Sequence, residues 1–217
     1  MLGVVDLYRN ESEAAALTPQ SRFRFACHAG LACFNQCCQN PTVILKPYDI
    51  IRLRRHLRIT AGEFLERYTL TVADDASHLP LVLLDTDREE GRGCPFLGAA
   101  GCTVYPHRPG ACRLFPVTQG SRLAGPDVAH AYFLKRLDFC RGFEAGEEWT
   151  LARWQADQEM APHDASSREW LEILLGRAAR PHPAEDARAA ALFAMAAYDL
   201  DQVRAVVLRT PFVQSFE

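Results

Sequence analysis

The sequence of 217 residues lacks the features of several common protein classes. It has no apolar run near the roughly 18 residues that a membrane-spanning helix needs. Its formal net charge of −3 lacks the basic surplus of a general nucleic-acid binder. Residues 1–16 carry Asp6, Glu11 and Glu13 and no basic segment before an apolar run, so they do not resemble a signal peptide. We therefore expect a cytoplasmic protein that binds neither a membrane nor a nucleic acid.

Two motifs with well-known chemistry are also missing. No C-x2-C pair occurs, although such pairs supply the ligands of ordinary zinc ribbons and fingers. No glycine-rich loop leads from a strand into a helix, so the usual binding loop for a nucleotide or adenosylmethionine is absent. With 8 cysteines in 217 residues, the chain is too poor in cysteine for a disulfide-rich secreted domain.

The cysteines that are present are clustered. Four of the eight fall within the twelve residues that begin at Cys27. Cytosolic thiols are kept reduced, so crowded cysteines in a protein of this kind indicate a metal site before they indicate disulfides. The candidate metal ligands are Cys27, Cys33, Cys37, Cys38, Cys94, Cys102, Cys112 and Cys140.

The adjacent pair Cys37 and Cys38 bears on the number of metal centres. Neighbouring side chains point to opposite faces of a strand and lie roughly 100° apart around a helix. On that geometry the two thiols cannot easily bind one ion side by side. We therefore expect them to serve two nearby centres or two corners of a larger cluster.

Eight thiolates can hold iron–sulfur clusters or zinc ions. Only Cys33 and Cys37 have a spacing that is usual for zinc. Cys94-Pro95 weakly resembles the Cys-Pro pair that ends the cysteine motif of bacterial ferredoxins. We expect an iron–sulfur cluster of the [4Fe-4S] type, with one or two centres, and keep zinc as the alternative. Arginines close to the cysteines would offset the charge of the sulfur atoms and lower the thiol pKa values. They are Arg92, Arg113 and Arg141.

The predicted fold class is α+β. An irregular cysteine-rich core over residues 22–146, with short strands and two helices, follows a lead-in at residues 1–21. A helical region at residues 147–217 is expected to pack on this core. The predicted strands are residues 22–25, 42–45, 79–84 and 132–134, and Cys112 is expected in an irregular stretch. The predicted helices are residues 48–57, a helix that starts at Thr60, and residues 148–160, 166–180, 184–198 and 199–209.

Several segments together resemble one known family, the YkgJ-like or CxxCxxCC cysteine-cluster family of zinc- or iron-chelating proteins. The resemblance covers roughly residues 25–142, and the first cysteine spacing, x5, departs from the x2 of the family's name. The matching segments are the Cys33, Cys37, Cys38 cluster, residues 42–57, Cys94-Pro95-Phe96-Leu97, Gly101-Cys102-Thr103-Val104-Tyr105, Arg108-Pro109-Gly110-Ala111-Cys112-Arg113 and Pro116.

The resemblance implies a bacterial cytoplasmic metal-binding protein. A flagellin lysine methylase carries a similar cysteine module, so a protein-modifying enzyme is one alternative, although no catalytic residue can be identified. The other alternative is a structural zinc module that binds a protein partner. His28 and His107 are expected to support ligands rather than to bind metal. Among the cysteines, Cys27 and Cys140 rank below the other six because one has the unusual spacing and the other stands alone.

Overall fold

The computed structural model describes residues 15–88, 91–180 and 187–209, and it has an α+β architecture, as predicted. The strands are β1 (Arg22–Phe25), β2 (Ile44–Leu45), β3 (Thr69–Ala73), β4 (Pro80–Leu84), β5 (Asp87–Arg88), β6 (Gly91–Arg92), β7 (Leu97–Gly98), β8 (Gly101–Cys102), β9 (Val117–Ala124), β10 (Asp127–Leu134) and β11 (Glu147–Thr150). The helices are α1 (Pro47–Leu57), α2 (Ala61–Tyr68), α3 (Gly110–Leu114), α4 (Leu151–Asp157), α5 (Met160–Ala165), α6 (Arg168–Ala178), α7 (Ala187–Tyr198) and α8 (Leu200–Arg209). In the described ranges, none of these helices is both long enough and apolar enough to cross a bilayer.

The larger hydrophobic core lies between a three-stranded sheet and four helices. The sheet is antiparallel with strand order β2-β4-β3. Ile50, Leu53 and Phe64 of α1 and α2 are almost completely buried in this core, together with Trp170 of α6 and Phe193 of α7. Burying one such side chain stabilises the fold by about 1.5–3 kcal/mol, so the C-terminal helices contribute directly to the stability of the cysteine-rich part.

The starts of α1 and α2 follow from local sequence. Pro47 occupies the first turn of α1, where its missing N–H costs nothing, and Asp49 Oδ2 accepts from the Lys46 amide at 3.0 Å. Thr60 Oγ1 accepts from the Glu63 amide, and the Glu63 carboxylate accepts from the Thr60 amide at 2.8 Å. This capping box confirms the predicted start of the second helix.

A second core forms where the two ends of the cysteine-rich part meet. Strand β1 pairs antiparallel with β11, so that Phe23 lies opposite Trp149. Phe25 and Trp154 pack edge to face at 5.8 Å in the same core, and Trp154 Nε1 donates to the Leu114 carbonyl at 2.8 Å. The chain therefore returns to its beginning and holds the segment before Cys27 in place.

Two of the predicted elements are wrong, and a third, the strand at 132–134, is confirmed but is longer than predicted. Residues 147–150 form strand β11 instead of the start of a helix, and the helix predicted over 148–160 is divided into α4 and α5. Cys112 lies in the short helix α3, where an irregular stretch was predicted. The strand predicted at 132–134 is the end of β10, which pairs along its whole length with β9.

Candidate metal centre

The first four cysteines lie on a tight loop that contacts the second cysteine segment. Cys37 and Cys38 lie in a 3-10 turn that follows Asn35, whose φ of 68° is left-handed. The Cys94 amide donates to the Cys38 carbonyl at 2.8 Å. Gly93 has a φ of +113°, and an added Cβ would lie 3.0 Å from the Gln39 carbonyl oxygen. Glycine is therefore required for the close approach of these two segments.

Cys102 is presented by the β7–β8 hairpin. Its turn holds Gly101 at a φ of +120°, with the ring of Phe34 only 3.3 Å from where a Cβ would be. The Thr103 amide donates to the Phe96 carbonyl at 2.9 Å and closes the loop that carries Cys94. The hairpin thus packs against the first cysteine loop and brings Cys94 and Cys102 to the same side.

Cys112 is positioned from the opposite direction by buried polar contacts. The Gly110 amide at the start of α3 donates to Asp49 Oδ1 at 2.9 Å. The guanidinium of Arg113, only 5% exposed, donates to the Gln158 carbonyl at 3.0 Å and to the Pro106 carbonyl. Helix α1 and the C-terminal region therefore fix the orientation of the helix that carries Cys112.

Cys33 and Cys140 form a separate pair beside Cys27. The Arg141 amide donates to Cys33 Sγ at 3.2 Å, and the thiols of Cys33 and Cys140 are hydrogen bonded to each other. The Ala26 amide donates to the Gly142 carbonyl at 3.0 Å, which joins the Cys140 segment to the Cys27 segment.

Six of the eight cysteines line one cavity with a volume of about 1160 Å³. Cys33 and Cys140 are not among the residues that line it in the described part of the chain. Cys112 has high solvent accessibility and yet is surrounded by protein atoms, because it opens into this cavity. The six cavity cysteines are Cys27, Cys37, Cys38, Cys94, Cys102 and Cys112.

Four thiols influence one another electrostatically and form one group, Cys37, Cys94, Cys102 and Cys112. Burial raises the pKa of Cys112, and the charges of Cys94, Asp49, Cys102 and Cys37 raise it further. Burial also raises the pKa of Cys94, which is raised further by Cys102 and Cys37. A cation bound among these thiols would offset such repulsion and favour their thiolate forms.

Cys27, Cys33 and Cys140 form a second group, and Cys37 connects the two groups. The pKa of Cys27 is raised to about 11, chiefly by burial and in addition by the charges of Cys37, Cys33 and Cys140. Burial likewise raises the pKa of Cys140, to which Cys33 and Cys37 add. Because Cys37 acts on members of both groups, it lies between them.

Backbone amides and one arginine oppose these increases. Three of the sulfurs accept a hydrogen bond from the backbone amide two residues later in the chain, and this bond lowers the thiol pKa. The pairs are Cys94 with Phe96, Cys102 with Val104, and Cys140 with Gly142. The Arg108 guanidinium lowers the pKa values of Cys27 and Cys102 against the larger effect of burial. Hydrogen bonds to sulfur and nearby cations are the means by which proteins stabilise metal-bound thiolates.

Arg108 is the functional residue that sequence reasoning missed. We expected Arg92, Arg113 and Arg141 to offset sulfur charge because they lie close to cysteines in sequence. Arg113 donates instead to carbonyl oxygens and to Glu159, and the side chain of Arg92 lies outside the described residues. The sequence did contain a signal for this role. Arg108 lies only six residues after Cys102, and it begins the Arg108–Arg113 segment that carries Cys112.

The Cys37–Cys38 pair differs from its predicted geometry. The two Sγ atoms are only 3.9 Å apart, because the 3-10 turn brings them to one side. The geometric reason for giving them separate centres is therefore wrong, and the two thiols can contact the same centre.

The two histidines make local contacts away from the thiols. His28 Nδ1 accepts from the Gly30 amide at 3.2 Å, and His107 stacks on His56 with a centroid distance of 4.4 Å. Neither is among the residues described as lining the cavity. Within the described ranges, no three Cys, His, Asp or Glu side chains converge on a point where one ion would reach all three. The thiols thus surround a space instead of a single point.

Comparison with known proteins identifies one family model. It is the CxxCxxCC model, described as a "putative zinc- or iron-chelating domain", and it matches residues 26–141, a segment that contains all eight cysteines. No curated protein and no solved structure matches the chain.

Proposed function

The chain belongs to the CxxCxxCC family of zinc- or iron-chelating domains, and we propose that its cysteines hold an iron–sulfur cluster of the [4Fe-4S] type. Such a cluster takes four Cys thiolates. The group Cys37, Cys94, Cys102 and Cys112 supplies that number from three separate segments of the chain. When bound, the cluster supplies one-electron transfer or holds these segments together.

The observation that carries this proposal is that four thiols line one cavity while no three possible ligands among the described residues converge on a single ion position. The four members of the group all line the same cavity of about 1160 Å³. A single zinc ion needs sulfurs about 2.3 Å from one point. A polynuclear centre instead spans thiolates that lie further apart, so the dispersed arrangement favours a cluster.

The chain's own residues prepare the site for a negatively charged centre. Buried aromatic and aliphatic side chains, such as Phe96 and Val104, keep water away beside Cys94 and Cys102. The amides that donate to the sulfurs and the guanidinium of Arg108 offset the thiolate charge. Burial, hydrogen bonds to sulfur and local charge set the reduction potential of such a centre.

Zinc is the second candidate, and one distance favours it. The Sγ atoms of Cys37 and Cys38 are 3.9 Å apart. Two thiolates that share one tetrahedral zinc ion lie about 3.8 Å apart when each Zn–S bond is about 2.3 Å. A structural zinc ion with Cys37 and Cys38 among its ligands would use this pair.

Metal and sulfide analysis of anaerobically purified protein tests the proposal. We expect a brown protein with about four iron atoms and four acid-labile sulfides in each chain. A Cys94→Ser or Cys112→Ser variant should lose most of this iron, whereas the matched variant Cys33→Ser, outside the cavity lining, should keep it. A colourless parent protein with stoichiometric zinc and no sulfide would contradict the proposal and support the zinc alternative.

A further inference from the structure

Lysine is rare in this chain, and its location is unusual. Of the 24 lysine and arginine residues, only Lys46 and Lys135 are lysines. Both line the cavity that also contains the six thiols. Arginine keeps its charge in nearly any environment, whereas the lysine amine can lose its proton when it is buried. Two neutralisable amines in one cavity therefore differ in chemistry from the arginines elsewhere.

A hydrogen-bonded network fixes the Lys46 amine. Lys46 Nζ donates to Gln119 Oε1 at 2.9 Å. Gln119 Nε2 donates to Asp164 Oδ1 at 2.8 Å and to the hydroxyl of Tyr132 at 3.2 Å. Only the amide nitrogen can donate to a carboxylate, so the oxygen must face Lys46. A neutral amine that donates one N–H to this oxygen keeps its lone pair available.

The surroundings of Lys46 favour the neutral amine. Burial lowers the pKa of Lys46, and the charges of Asp49 and Asp164 only partly oppose this effect. Both oxygens of Asp49 are already occupied, Oδ1 by the Gly110 amide and Oδ2 by the Lys46 amide. The third titratable neighbour is His130. Burial lowers the pKa of His130, the charge of Asp164 raises it, and the charge of Lys46 lowers it.

The network is separate from the metal-binding segments. Lys46 precedes α1, Gln119 and Tyr132 lie on the β9–β10 hairpin, and Asp164 lies on α5. None of these elements contains a cysteine. The volume of about 1160 Å³ is slightly above the usual range of small-molecule pockets, about 300–1,000 Å³. Trp149, Trp154 and Trp170 contribute to its apolar wall.

We propose that Lys46 is the reactive amine of an organic-ligand site in this cavity and that it forms an imine with an aldehyde or ketone. The amine lone pair attacks the carbonyl carbon, and a C–N bond forms. The carbonyl oxygen takes up both amine protons and leaves as water, which gives C=N and consumes neither oxidant nor reductant. A desolvated lysine in an apolar pocket is the usual nucleophile of this reaction.

Reductive trapping tests the proposal on the metal-loaded protein. The probe is pyridoxal 5′-phosphate with sodium cyanoborohydride, which donates hydride to the imine carbon and leaves a stable secondary amine. Peptide mass mapping can assign every adduct, because the chain has only two lysines and one α-amino group. We expect Lys46 to be labelled faster than Lys135 near neutral pH, because burial lowers the pKa of Lys46 and leaves more of its amine neutral.

Variants separate reactivity from exposure. Lys46→Arg should abolish the fast adduct, and Lys135→Arg, the matched control from the same cavity, should leave it unchanged. Gln119→Glu places a carboxylate beside the amine, favours the ammonium form and should slow labelling several-fold. Labelling of Lys46 in the parent no faster than that of Lys135 would overturn the proposal. Metal content measured on the same samples keeps this outcome distinct from a failure of the cluster proposal.

Discussion

His163 Nδ1 lies 3.1 Å from Asp49 Oδ1, and both side chains are at least 97% buried. Asp49 belongs to α1 in the cysteine-rich part, whereas His163 lies on α5, outside the segment that the family model matches. The same Asp49 oxygen accepts from the Gly110 amide at the start of the helix that carries Cys112. Asp49 therefore connects the C-terminal helices to a candidate metal ligand.

Asp49→Asn should destabilise the protein and loosen Cys112. The asparagine side chain has one acceptor oxygen where aspartate has two. At least one of the buried hydrogen bonds that the Asp49 carboxylate accepts is therefore lost. Such a loss costs about 2–3 kcal/mol. Guanidinium unfolding of the metal-loaded variant measures it. Asp75→Asn, at an exposed position, is the control and should change the free energy of unfolding by less than about 0.5 kcal/mol.

Serine substitutions should rank the cysteines. Replacing Cys37, Cys94, Cys102 or Cys112 removes a soft donor from the four-thiol group and should lower bound metal and soluble yield. Replacing Cys27 or Cys140 should have less effect. Metal analysis of each purified variant gives the ranking. Full occupancy in Cys94→Ser or Cys112→Ser would show that the second cysteine segment packs without binding metal.

The adjacent cysteines should not be equivalent. Cys37 influences thiols of both groups, whereas Cys38 is hydrogen bonded to Cys37 alone among the thiols described. Cys37→Ser should therefore remove more metal than Cys38→Ser. Equal losses of a single ion in both variants, from a parent that holds only that ion, would show one shared centre.

Arg108 should control how easily acid releases the metal. Its guanidinium lowers the pKa values of Cys27 and Cys102, so Arg108→Gln raises these thiol pKa values. Protons then compete with metal at higher pH, and the midpoint of metal release should move upward. Arg108→Lys keeps the charge and should move the midpoint less. Arg55→Gln, on the exposed face of α1, is the control, and an equal change there would exclude a local effect.

The sequence predicted those parts of the fold that depend on neighbouring residues. The capping box at Thr60, the helix that Pro47 starts and the strand Arg22–Phe25 were predicted, since each follows from a local pattern. Residues 148–150 were predicted as the start of a helix, but they belong to strand β11. Pairing with β1, in which Phe25 lies opposite Glu147 and 122 residues away from it, determines this.

Long-range contacts also explain what was missed at the candidate site. The cysteines were found because their clustering is visible in the sequence. The cavity, the position of Arg108 and the Asp49–His163 contact depend on residues far apart in the chain. Asp49 and His163, for example, are 114 residues apart. Spacing alone cannot predict such contacts. The distance between the Cys37 and Cys38 thiols was misjudged because a 3-10 turn replaces the strand or helix assumed for them.

Metal removal should unfold the cysteine-rich part and the C-terminal helices together. If the metal stabilised only the cysteine-rich part, residues 22–142 would unfold before these helices. Both hydrophobic cores, however, combine side chains from the two parts, with Phe64 beside Trp170 in one core and Phe25 beside Trp154 in the other. When a site exists only in the folded chain, metal-binding free energy adds to folding free energy. Its loss should therefore lower the stability of the whole assembly.

Tryptophan fluorescence and hydrogen exchange can separate these outcomes. All three tryptophans, Trp149, Trp154 and Trp170, lie in the C-terminal region and are at most 9% exposed, so their fluorescence reports on that region. Amide exchange at residues 26–45 reports on the cysteine loop. After chelation, we expect both signals to change at the same, lower denaturant concentration. Native fluorescence alongside fast exchange in the loop would show instead that the C-terminal region is stable without the metal.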